Sequence, residues 1–146
     1  MFKNILLMLG TLLVATTVCL AQEKASTTPV VKKAPIQQTS AASGKEMFAL
    51  YCAPCHGADG KGNGPAASSM KSMPTDLTQL AKKNDGKFPA ARVSGVLNFG
   101  SGVTSHGSAD MPVWGPLFRS LDKYHDSVVQ QRVSNLVTYI ESMQAK

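Results

Sequence analysis

The run Cys52-Ala53-Pro54-Cys55-His56 constrains this chain more than any other feature. Two thiols three positions apart, with an imidazole beside the second, read as a C-x-x-C-H site for covalent attachment of a c-type haem. The chemistry asks for those residue types at that spacing. The thiols add across the two vinyl groups of one porphyrin, so they must lie a few residues apart. The adjacent imidazole then sits under the ring, which makes His56 the proximal iron ligand. A structural zinc needs about four ligands, whereas the chain has three cysteines and the third, Cys19, is remote. A thioredoxin-like redox pair calls for a βαβ neighbourhood, and none flanks the motif. A Cys52–Cys55 disulfide in an oxidising compartment is the remaining alternative.

The N-terminus has the layout of an export signal. Lys3 precedes the apolar run Ile5-Leu6-Leu7-Met8-Leu9, which continues through Leu12-Leu13-Val14-Ala15 to Val18, and small residues close it at Cys19 and Ala21. This order matches a secretory signal peptide over residues 1–21, cleaved after Ala21. The alternative is an uncleaved anchor tethering the chain to the membrane, for which the run is short against the roughly 20 residues of a full span. Val18 before Cys19 argues against a lipoprotein. Cleavage would remove Cys19, so that haem takes up both remaining thiols. The expected location is the periplasm.

Residues 22–43 are rich in Ala, Thr, Ser, Gln, Lys and Pro. Such a stretch buries too little apolar surface to offset its ordering entropy and reads as a flexible linker. One domain remains, 44–146, small for a self-sufficient core; a bound macrocycle would supply apolar interior. The formal net charge of +6 favours acidic redox partners or an anionic membrane through steering, although solvated lysines explain it equally well. Nucleic acid is excluded as a partner, because the chain is exported and its lysines are not interleaved with aromatics on one surface.

The coarse pattern is helical, without a convincing strand. Ser43 and Glu46 form a capping box for a helix through Met47, Phe48, Leu50 and Tyr51 into the cysteine turn. Residues 57–66 are too glycine-rich for a helix. Thr75 or Asp76 caps a short helix over Leu77–Lys83. Pro89 opens another with Val93, Val96 and Leu97 on one face, and Gly100 closes it. Residues 100–116 read as a loop. Val129, Val133, Leu136, Val137, Ile140 and Met143 recur at helical spacing and predict a helix over 126–144.

With these residues in place, the segment 44–144 resembles a class I (monohaem) cytochrome c of the bacterial exported type. The resemblance implies an all-α fold of about four to five helices wrapped around one covalent haem c per chain. In that family a glycine eight residues before the first haem cysteine and an aromatic four before it meet the C-terminal helix. Gly44 and Phe48 match these positions, with Leu136, Tyr139 and Ile140 as their partners. A glycine-rich loop ending in proline follows the haem motif in the family, and Gly62-Asn63-Gly64-Pro65 fits it. The resemblance gives the Pro65 carbonyl the hydrogen bond from the proximal imidazole Nδ1. Pro74-Thr75-Asp76-Leu77 also resembles a segment of bacterial members, without adding chemistry.

The distal ligand is a choice among methionines and one histidine. Met47 and Met143 lie on terminal helices and suit packing. Met73 and Met111 both precede prolines. In the family the ligand comes from a loop just before the C-terminal helix, which favours Met111 over Met73. His106 is the alternative, giving bis-histidine coordination. Trp114 packs the haem pocket, or its N–H reaches a propionate; Arg92 is a weaker propionate candidate. His125 reads as a surface or capping residue.

Together these features imply an electron carrier rather than an enzyme: a six-coordinate iron has no open site for substrate. Lys61 and Lys71 are candidates for the docking surface near the exposed haem edge. Two alternatives remain, a haem subunit of a larger oxidoreductase, and a gas-binding or peroxidase-type haem protein, which would need a vacant distal position.

Overall fold

In a computed structural model the described residues are 35–100, 111–122 and 125–145, and no β-strand occurs among them. Ser43 starts the first helix. Its backbone is extended, and its Oγ accepts the Glu46 N–H at 3.2 Å, satisfying one of the donors orphaned at a helix start. The Glu46 carboxylate does not return to Ser43. It accepts the Ser40 N–H at 3.4 Å instead, so half of the expected capping box forms and the other half ties down the preceding turn.

This helix, α1 (44–56), has three parts: an α turn at Gly44–Met47, a wider i→i+5 turn at Phe48–Cys52, and an α turn at Ala53–His56. A wide turn inserts one residue and re-phases the side chains after it. Cys52 ends on the buried side. Pro54 stands in the first turn of the last part, where its missing N–H costs little.

The expected helix over Leu77–Lys83 is replaced by two 3₁₀ turns, Leu77–Gln79 and Lys82–Asn84. Asp76 caps the first as expected, its Oδ1 accepting the Thr78 N–H at 2.9 Å and the Thr78 hydroxyl at 2.6 Å. Helix α2 spans Ala90–Phe99 between Pro89 and Gly100, matching the expectation. Helix α3, Trp114–Leu121, has no counterpart in the sequence reading. Gly115 and Pro116 disguised it, yet a first-turn proline gives up no intrahelical bond. Trp114, Phe118 and Leu121 then share one face. Helix α4, Asp126–Ser142, agrees with the expected 126–144 to within its fraying end.

The core lies where α1, α3 and α4 meet. Met47, Phe48, Phe118, Val129, Val133 and Leu136 are fully enclosed. At the α1–α4 crossing Gly44 has no room for a side chain: a β-carbon there would collide with the Asn135 carbonyl and come within 2.9 Å of Tyr139 Cβ. Phe48 packs on Tyr139 with ring centroids 5.3 Å apart. Gly44, Phe48, Leu136, Tyr139 and Ile140 thus meet as the resemblance implied.

One core residue defies the apolar pattern of α4. Arg132 is 3% exposed. Its Nε donates to Asp122 Oδ2 at 2.6 Å, and its Nη1 donates to the Thr39 carbonyl and hydroxyl. These bonds answer the cost of burying its charge. They also correct the linker boundary of 43. Tyr51 donates its hydroxyl proton to the Gln37 carbonyl, Asn135 Nδ2 donates to the Ala41 carbonyl at 2.8 Å, and Ile36 packs on the core. Residues 36–43 therefore belong to the domain. Composition could not show this, because what holds them is mostly hydrogen bonding from α1 and α4 to their backbone.

Candidate functional site

Helix α1 carries the attachment motif on its last turns. Cys52 is 7% exposed, and Cys55 and His56 are half-buried. Both thiols are free rather than joined, so the disulfide alternative is not what this fold contains. Burial, reinforced by the neighbouring Cys55, pushes the Cys52 thiol up to about 12.

The imidazole is fixed by one bond. His56 Nδ1 lies 2.9 Å from the Thr75 carbonyl. A carbonyl can only accept, so Nδ1 carries the proton and Nε2 keeps its lone pair. Burial also holds the His56 pKa below its ordinary value, against a smaller opposing effect of the Thr75 bond. The site thus selects a neutral imidazole in the tautomer that can bind a metal through Nε2.

The Thr75 bond corrects the role carried over to Pro65. Pro65 is exposed, and the accepting carbonyl comes from ten residues further on. The reason is the path of the chain. Gly62, at φ 84°, donates its N–H to the His56 carbonyl at 2.7 Å, and its α-carbon lies so close to the Pro74 carbonyl that a β-carbon would collide with it. That approach brings residues 74–76, not Pro65, alongside the ring. The segment Pro74-Thr75-Asp76-Leu77, read as adding no chemistry, supplies this contact. A backbone carbonyl has no sequence signature; only the matching segment hinted at it.

Of the distal-ligand candidates, Met73 lies two residues before Thr75 and is 71% exposed. Met111 is half-buried against the core, just ahead of α3. His106 lies outside the described residues. Trp114 is 8% exposed. Its ring lies 5.6 Å from Phe118 and 5.2 Å from Tyr51 between centroids, so it packs the core between α1 and α3. Arg92 is exposed on α2, and Lys61 and Lys71 are exposed in the loop after the motif, Lys61 pairing with Asp59 at 3.4 Å.

The donor set fits a covalent haem: two unpaired thiols on one helical turn, and an adjacent imidazole with Nδ1 already satisfied. Comparison with known proteins agrees. A family model for cytochrome c matches residues 41–144. The chain belongs to the cytochrome c family, and membership implies electron transfer on a covalently bound haem. No curated relative and no solved structure matches the chain.

Proposed function

We propose that this protein is a periplasmic one-electron carrier holding one haem c per chain. Cys52 and Cys55 would form the thioether links, and His56 Nε2 and Met111 would bind the iron. The haem, when bound, supplies the ferrous–ferric couple. The chain's own part is to hold the ligands still. Thr75 fixes the tautomer and orientation of His56 and raises its basicity, and the core around Met47, Phe48 and Trp114 keeps water from the buried side of α1. With His56 and Met111 both bound, the iron would have no site left for a substrate, which favours a carrier over an enzyme. The +6 charge suits redox partners with acidic docking surfaces, and the apolar run in residues 1–21 supports export, with retention as a membrane anchor the alternative. Among the described residues no helix is long and apolar enough to cross a membrane.

The observation that carries this reading is the His56–Thr75 bond beside two free thiols. Expression with covalent haem maturation tests it. Haem should stay with the protein in acidified organic solvent, and the ferric form should show a thioether–iron charge-transfer band that disappears in Met111→Ala. The reduced wild type should not bind carbon monoxide rapidly, whereas Met111→Ala should. Extractable haem, or avid carbon monoxide binding by the wild type, would sink the carrier reading.

A further inference from the structure

We infer that Gln144 is a positioning residue for the proximal imidazole, acting through the strap 75–81. The strap has no sheet or α-helical ladder of its own, so the location of the Thr75 carbonyl is set from outside. At its near end, the Leu77 N–H donates to the Gly60 carbonyl at 2.7 Å. At its far end, just past α4, one side chain spans the turn. Gln144 Oε1 accepts the Ala81 N–H at 2.9 Å, while its Nε2 donates to the Leu77 carbonyl at 2.7 Å and to the Ile140 carbonyl at 2.9 Å. The Ala145 N–H adds a bond to the Thr78 carbonyl at 2.9 Å. The amide thus makes three of the four bonds open to it. It joins both ends of the 77–81 turn to the last turn of α4, itself packed on α1.

The consequence follows from the hydrogen bond at His56. A firm Nδ1–H···O=C contact makes the imidazole a stronger donor to the iron, which favours the ferric state and lowers the potential. Releasing the strap lets the Thr75 carbonyl drift, weakens that bond and raises the potential. Glutamine is needed because the site asks for an acceptor and a donor together. A carboxylate could still accept from Ala81 but would face the Leu77 and Ile140 carbonyls with no proton to give.

The test uses the haem-loaded protein and rests on the reading of His56 as proximal ligand. In Gln144→Ala the Nδ1 proton of His56 should exchange with solvent about five- to tenfold faster, the size expected for weakening one hydrogen bond. The midpoint potential should move positive, and Gln144→Glu should move it the same way. Val133→Ala, a core change away from the strap, should lower global stability and leave both readouts unmoved. An unchanged potential and exchange rate in Gln144→Ala would overturn the inference, as would an equal shift in Val133→Ala. A low-spin spectrum that survived His56→Ala would instead remove the ligand reading, so the two failures are distinguishable.

Discussion

The α1–α4 crossing and the strap around His56 are secured by different means. At the crossing, Phe48, Leu136, Val133 and Ile140 are buried against one another and Gly44 sits against the backbone of α4. Fit and apolar burial do the holding there. Around the strap, Thr75 is exposed and Leu77 and Leu80 are half-buried; the segment is located by hydrogen bonds that its N–H groups donate to Gly60, Asp76 and Gln144. The first region determines whether the chain folds. The second determines how the imidazole is aimed once it has. Stability and tuning are therefore separable in this molecule.

Changes at the crossing and in its buried network should cost most. Arg132→Ala strands Asp122 and leaves the Thr39 carbonyl without its donor, for an expected loss of roughly 3–5 kcal/mol in urea unfolding. Gly44→Ala should cost about 1–3 kcal/mol, the usual range for overpacking, since neither the Asn135 carbonyl nor the α4 backbone can yield freely. A loss below about 0.5 kcal/mol there would mean that α1 and α4 adjust their spacing, and the contrast between the regions would weaken.

Asp76→Ala should show the opposite profile. It removes the cap on Thr78 for only about 1 kcal/mol, yet His56 Nδ1 exchange should quicken. Equal effects from Asp76→Ala and Gly44→Ala on that exchange would erase the distinction.

The smallest effect is acid sensitivity. Burial lowers the His56 pKa from its ordinary 6.5, so the unfolded haem-free chain takes up a proton more readily than the folded one. Its contribution to stability is complete above that value and declines as pH falls below it. Urea midpoints of haem-free protein at pH 7.5 and pH 5 should differ in that direction, and the difference should shrink in His56→Gln. A midpoint that rises on acidification would contradict the burial argument.

Legibility in the sequence followed the same division. Helix α4 was readable from its apolar periodicity and α2 from Pro89 and Gly100, because these signals are local. Helix α3 was not, since Gly115 and Pro116 look like breakers unless their place in a first turn is known. Arg132 was invisible as a core residue, because its burial depends on Asp122 and Thr39, which only folding brings near. Residues 36–43 looked like linker because their contacts run mostly through backbone carbonyls.

What the sequence carries by itself is the attachment motif. Cys52, Cys55 and His56 carry reactive side chains at a spacing few other functions need, and covalent spacing survives without a fold. Gly44 and Phe48 were legible through the family resemblance, and packing explains the glycine, since two helix backbones cross closely there. What only the tertiary structure decided is which carbonyl meets His56. Every residue offers the same backbone C=O, so no side-chain signal distinguished Pro65 from Thr75. The approach of Gly62 to Pro74 and the clamp at Gln144 made the choice.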